Sequence, residues 1–247
     1  MTLALTAALA VAMVGTSFIS GIFGMAGGMI LIGLLLVVLP LPTAMTLHAV
    51  TQMSSNGWRA FLWRRHVRWG AVGSYFLGSL VALLAWSLTR YVPSTPVALL
   101  LLGATPFLAR LAPAWLKPNP ANPLNGAFYG CVCMTLLLLT GVTGPLIDHY
   151  FLGSMADRRQ VVATKAVCQV FGHGLKLVYF GILIDQGVRL DPLLVCIAIA
   201  ASMLGTTLAR QVLEGMSDQQ FRLWTNRIIT AVAGFYAARG SWLLLVG

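Results

Sequence analysis

Two stretches of this sequence place polar and ionisable side chains at helical spacing within apolar surroundings. His48, Gln52, Asn56 and Arg59 are separated by four, four and three residues, and Lys165, Gln169, His173 and Lys176 repeat the same intervals. Such spacing keeps each set on one face of an α-helix. Polar side chains in an otherwise apolar helix are costly in a bilayer and usually face the bundle interior or a substrate path. The residue types suit a small anion: the amides of Gln52 and Gln169 are donors for oxygens near mid-segment, while Arg59, Lys165 and Lys176 supply positive charge along the way. The same pattern also fits interhelical hydrogen bonding by the amides, with Arg59 and Lys176 reaching outward to the bilayer surface.

Ahead of each stripe lies a glycine-rich interruption, GMAGG at 24–28 and GVTGP at 141–145. Backbone that leaves helical geometry within a bilayer is tolerated only where protein buries it or a cavity adjoins it. A short helix starting after each tip would aim free N–H groups and the positive end of its dipole at the protein centre, with Gly27, Gly28 and Gly144 closest to a bound anion. Tight helix packing is the alternative use of these glycines. Asp148 and His149 follow the second tip where the first has Leu31 and Ile32. An acid there is a proton carrier or a salt-bridge partner of Lys165, unless it lies nearer the cytoplasmic surface than this placement implies.

These residues need helices to hold them. Apolar runs cover 3–39, 43–63, 71–89 and 94–112, then 124–156, 160–184, 191–213 and 221–246, with KPNPANP (117–123) between the two groups as a linker. At about 20 residues per span, the chain holds about eight to ten membrane segments and no soluble domain. The first run must be two pieces, because 28–39 is too short to cross a core of about 30 Å.

Displacing the sequence by 117 residues lays Gly24 on Gly141, Gly27 on Gly144, Gln52 on Gln169, Gly57 on Gly174 and Arg59 on Lys176. A shared glutamine, several glycines and a cation in register indicate a duplication: residues 1–116 and 124–247 form two membrane repeats. Cytoplasmic loops are enriched in Lys and Arg. In the first copy LPLP (39–42) is uncharged and RRHVR (64–68) is basic; in the second, ADRR (156–159) is basic and the later turn carries Asp185. Corresponding loops then face opposite sides, the arrangement of inverted repeats in secondary transporters. The expected fold is an all-α polytopic membrane protein of two inverted-topology repeats. Each is a glycine-tipped short-helix hairpin plus about three spanning helices, and both termini are periplasmic.

Composition removes other classes. Hydrophobic residues make up 58% and charged residues 9%, with mean hydropathy +0.85, whereas soluble domains are about 25% charged. The net charge of +10 is scattered at segment ends, which speaks for lipid headgroups and loop orientation rather than nucleic acid. Cys131, Cys133, Cys168 and Cys196 lie in apolar runs without metal-site spacing, and no HExxH, GxSxG or carboxylate cluster points to catalysis. Neither enzyme chemistry, a cofactor nor a metal is expected.

The chain resembles the sulfite exporter TauE/SafE family through FISGIFGMAGGMILI, LPLPTAMTLHAVTQ and VVATKAVCQVFGHGLKLVYFG, a likeness that spans nearly its whole length. The resemblance implies a bacterial inner-membrane transporter that exports a small sulfur oxyanion, sulfite or an organosulfonate such as sulfoacetate. Some relatives import thiosulfate or other sulfur compounds, and an anion channel is the remaining alternative. GVTGP departs from the glycine-rich pattern of the first tip, and Pro145 there suits the first turn of a helix.

Overall fold

The computed structural model describes residues 2–24, 26–110, 118–152, 158–184 and 190–246. The expected features at Met25, at Asp185 and in the linker up to 117 lie outside the described residues.

Among the described residues ten α-helices follow one another: α1 (Leu3–Phe23), α2 (Ala26–Val38), α3 (Leu41–Leu62), α4 (Trp69–Thr89), α5 (Thr95–Arg110), α6 (Pro123–Thr140), α7 (Gly144–Leu152), α8 (Arg158–Val178), α9 (Pro192–Gly215) and α10 (Asp218–Val246). A π-helical turn, Tyr179–Leu183, extends α8. Among the described residues there is no strand. Local chemistry sets many boundaries. Asn122 and Asp191 accept hydrogen bonds from the first turns of α6 and α9, each with proline at the next position, where its missing N–H costs nothing. Gly24 ends α1 at φ 71° and Gly141 ends α6 at φ 86°, a backbone region that favours glycine. The first apolar run is therefore broken where expected, and α2, at 13 residues, is about 20 Å long.

Among the described residues six helices are long and apolar enough to cross a bilayer: α1, α4, α6, α8 with its extension, α9 and α10. The chain is an all-α polytopic membrane protein. At 22 residues α3 reaches about 33 Å and carries the first polar stripe.

Helix pairing has a pattern. α1 packs along α9 and α4 along α6; α3 packs along α8 and α5 along α10; α2 touches α10 while α7 touches α5. Exchanging α1–α5 with α6–α10 in order returns the same set of pairs. The α1/α9 and α4/α6 seams are built from small residues. A Cβ on Gly78 would overlap the Ala127 carbonyl, one on Gly130 the Tyr75 carbonyl, and one on Gly205 the Val14 carbonyl. Small residues let helices approach closely in a membrane, where burying apolar surface against lipid gains little.

Contacts along these seams also fix direction. Gly57 faces Val170, Gly174 faces Met53 and Gly181 faces Thr46, so α3 and α8 are antiparallel. Gly103 meets Ala233 and Ala237 while Gly240 meets Leu100, so α5 and α10 are antiparallel too. On α1 and α9, Gly21 lies against Thr206 and Ala209, and Gly205 against Val14 and Ser17, so that pair is parallel.

One end of the bundle gathers the basic turns. The Arg159 guanidinium stands 5.8 Å from the Trp63 ring and that of Arg210 5.9 Å from it, and the Arg68 amide donates to Thr164 Oγ1 at 3.0 Å. A surface cavity there is lined by Trp63, Arg159, Leu213, Glu214 and Phe221. The end of α3, the start of α8, the end of α9 and the start of α10 thus meet. Since α1 runs parallel to α9, and α10 leads away from this end, both termini emerge at the opposite end.

Candidate anion site

The antiparallel register of α3 and α8 places Ser55 opposite Gly172, positions that are themselves 117 residues apart. The two polar stripes face each other across this crossing. His48, Gln52, Asn56, Arg59, Lys165, Gln169, His173 and Lys176 are all buried, as is Asp148.

They sort into two groups, each drawing two residues of the stripe from each helix. Toward the end that bears the termini lie His48, Gln52, His173 and Lys176. His48 Nε2 is 2.9 Å from the Gly28 carbonyl, and Lys176 Nζ is 2.8 Å from His48 Nδ1 and 2.9 Å from the Gly141 carbonyl. The two imidazoles are 5.4 Å apart between ring centres. A carbonyl only accepts, so His48 carries its proton on Nε2, and Nδ1 accepts from the lysine. The Gln52 amide lies beside Gly28, about 3.1 Å from where a Cβ would stand.

Toward the basic end lie Asn56, Arg59, Lys165, Gln169 and Asp148. Asn56 Nδ2 donates to the Gln52 carbonyl at 2.8 Å, and Arg59 Nη1 donates to Asn56 Oδ1 at 3.2 Å. Lys165 forms a buried salt bridge with Asp148, and its ammonium occupies the space a Cβ on Gly24 would need. Arg59 is within electrostatic reach of Asp148. The 117-residue displacement converts this group into the other: Lys165 into His48, Gln169 into Gln52, Asn56 into His173 and Arg59 into Lys176. Asp148 alone breaks the correspondence, its counterpart being Leu31.

Several buried polar atoms here lack a protein partner among the described residues: Gln52 Nε2, Arg59 Nε and Nη2, His173 Nδ1, Gln169 Oε1 and Asp148 Oδ2. Buried polar groups are normally satisfied, and leaving one bare costs about 1–3 kcal/mol. Arg59 matters most, since Nε and Nη2 form one edge of the guanidinium, the planar fork that grips an oxyanion through two parallel hydrogen bonds. Among the described residues no group of His, Cys, Asp and Glu is arranged to hold a metal ion.

The structure departs from the sequence-based picture in three ways. Arg59 and Lys176 do not reach for the bilayer surface: they are 3% and 0% exposed. Gln52 and Gln169 do not converge on one point. Each sits one turn from the crossing on opposite sides, about 9 Å apart along the axis. Gly27 faces the α1 backbone, where a Cβ would overlap the Thr16 carbonyl, so close packing explains this glycine, whereas Gly28 faces Gln52. At the second tip α7 does begin at Gly144. Of the two expected roles for Asp148, the salt bridge to Lys165 is present.

Sequence reasoning missed the buried hydroxyls of α1 and α9. Ser17 and Ser20 of α1 are buried with bare hydroxyls, and Ser55 Oγ is 2.7 Å from Thr206 Oγ1. The spacing of Thr16, Ser17, Ser20 and Gly21 along one helical face was the available signal.

The helices of an all-α polytopic membrane protein thus enclose a buried polar interior. Residues 8–236 match the model of the family described as Sulfite exporter TauE/SafE, and the chain belongs to that family. No curated protein and no solved structure matched the chain.

Proposed function

We propose that this chain is a secondary transporter that exports a small sulfur oxyanion, sulfite or an organosulfonate such as sulfoacetate, across the bacterial inner membrane. The observation that carries the reading is the Arg59 guanidinium, buried between helices with its Nε and Nη2 edge bare. Such an edge is matched in shape and charge to two oxygens of a tetrahedral oxyanion. Gln169 and Asn56 lie on the same side of the crossing, and Lys176 and Gln52 offer the corresponding donors on the other. Family membership supports transport of a sulfur compound. Sulfite and sulfonates carry three oxygens on one sulfur, so the fork takes two and leaves one for an amide.

In this reading the copies 1–116 and 124–247, joined at 117–123, are inverted repeats. The exchange of helix pairs and the antiparallel α3/α8 and α5/α10 seams support that arrangement. The two polar groups are then the two ends of one path, exposed in turn as the copies rock about the Ser55–Gly172 crossing. By the bias of Lys and Arg toward cytoplasmic loops, the basic end faces the cytoplasm and both termini face the periplasm. A cysteine introduced at Thr2 should react with a membrane-impermeant thiol reagent in cells with a permeabilised outer membrane, and one at Arg65 only after the inner membrane is opened. The opposite pattern would reverse the orientation.

A thermal-shift screen of the purified protein against sulfite, sulfoacetate and thiosulfate tests the site. A ligand at a hundred times its Kd adds about 2.7 kcal/mol to the folded state, so a clear rise in Tm is expected for at least one anion. Arg59→Lys, which keeps the charge but loses the fork, should weaken that response at least tenfold in apparent Kd. A response unaltered by Arg59→Lys and Arg59→Met would remove Arg59 from the site.

A further inference from the structure

The two polar groups are counterparts built around different cations, and the difference is chemical. Arg59 keeps its proton under all physiological conditions, whereas a buried lysine can release one. Arg59 also has Asp148 within electrostatic reach, while Leu31 occupies the corresponding place in the other copy. The ion pairs among the described residues are Lys165–Asp148 and Arg210–Glu214, and neither includes Lys176.

Lys176 is completely buried, and its neighbours can be named helix by helix. From α3 it faces His48, from its own helix His173, and from α6 the Gly141 carbonyl. Asp148 of α7 is taken by Lys165, three turns away along α8. On the far side, Tyr179 of the π-helical turn donates to the Tyr91 carbonyl. In α4 Tyr75 stacks on Tyr150 and Phe151 of α7, and the cations of the 64–66 turn lie at the basic end. An ammonium taken from water into such a place without a counter-charge costs several kcal/mol. A neutral amine costs far less, and its two N–H bonds match the two acceptors present, His48 Nδ1 and the Gly141 carbonyl.

We propose that Lys176 is the proton-coupling residue, taking up one proton as the anion enters the group formed by His48, Gln52 and His173. In the empty site the side chain is –NH2, with both hydrogens donated and its lone pair directed inward. An arriving anion supplies the missing negative charge. The lone pair then takes up a proton that enters from the same aqueous phase as the anion, and the –NH3+ so formed keeps both original hydrogen bonds while giving its third N–H to the anion. One proton and one anion enter together, and both leave together. A monovalent anion then crosses the bilayer centre with no net charge moved, so the membrane potential neither drives nor opposes it. Arg59 cannot serve in this way, which gives a physical reason for the two copies to differ at this position.

This inference rests on the anion site proposed above, and calorimetry separates the two. Sulfoacetate and thiosulfate, both fully ionised near neutral pH, and sulfite, corrected for its own ionisation, are titrated into the purified full-length protein. The titrations are run in two buffers with different ionisation heats. The difference in apparent enthalpy reports the protons taken up per anion bound. The wild type should take up about one, and Lys176→Arg should bind while taking up none. Lys176→Gln, a second replacement without a titratable group, should also bind, more weakly, with no uptake. Binding by the wild type without proton uptake overturns the proposal and leaves the anion site standing. Uptake that persists in Lys176→Arg or Lys176→Gln assigns the proton to another group and equally overturns it. Absence of binding by all three anions overturns the anion site, and the coupling falls with it.

Discussion

At the scale of single residues, the interior is a set of buried basic side chains answered in different ways. Lys165 has a carboxylate, Lys176 has an imidazole nitrogen and a carbonyl, and Arg59 has one side-chain amide oxygen and a bare edge. Removing one partner of a buried ion pair strands the other charge and typically costs about 3–5 kcal/mol. Asp148→Asn should therefore lower Tm markedly, and Asp148→Asn combined with Lys165→Met should recover much of the loss. At the protein surface Arg210→Ala, which removes the exposed pair with Glu214, should change stability by less than about 1 kcal/mol. Equal losses from the two single changes would mean that the Lys165–Asp148 pair is not held away from solvent. The stripes that carry these residues were legible in the sequence, because a polar residue recurring every third or fourth position among apolar ones has one structural meaning in a membrane. Their burial was not. Counting positions from a segment's ends puts Arg59 and Lys176 near the surface, but neighbouring helices extend past them and close over their head groups.

At the scale of helices, glycine does two separate jobs, and only one shows in its spacing. Gly24 and Gly141 turn the chain at positive φ, and their placement before short apolar runs announced both hairpins. Gly27, Gly78, Gly130 and Gly205 permit backbone contact between helices, which depends on partners distant in sequence. Gly27→Ala should push α2 off α1 and destabilise the protein by about 1–3 kcal/mol, the usual cost of overpacking. Gly73→Ala offers a control, since a Cβ there meets open space. It should be neutral or stabilising by up to about 1 kcal/mol, as alanine is the better helix former. Thermal unfolding in detergent reports both, and a harmless Gly27→Ala would show that the α1–α2 hairpin is looser than this packing implies. The grouping of the polar residues was likewise hidden. Aligning the copies pairs His48 with Lys165 and Gln52 with Gln169 as equivalents, yet the register of α3 against α8 separates each equivalent pair and joins His48 to Lys176. That register is set by side-chain packing at Gly57, Gly174 and Gly181, not by the pattern within either helix.

At the scale of the whole molecule, the helix pairs exchange with one another, and two related polar groups lie on either side of the α3/α8 crossing; in the proposed reading they are the two ends of one path. The antiparallel crossing of α3 and α8 brings the stripes together, and among the described residues neither hydrogen-bond partner of Lys176 is a carboxylate. The central claim is that a sulfur oxyanion passes through this interior by way of Arg59. Sulfite counterflow into proteoliposomes tests it most directly, because exchange of internal unlabelled for external labelled anion requires a carrier that binds on both sides. Counterflow well above that of empty liposomes is expected for the wild type, and a loss of at least a hundredfold in Arg59→Met whose thermal unfolding stays intact. Undiminished sulfite counterflow in folded Arg59→Met would contradict it.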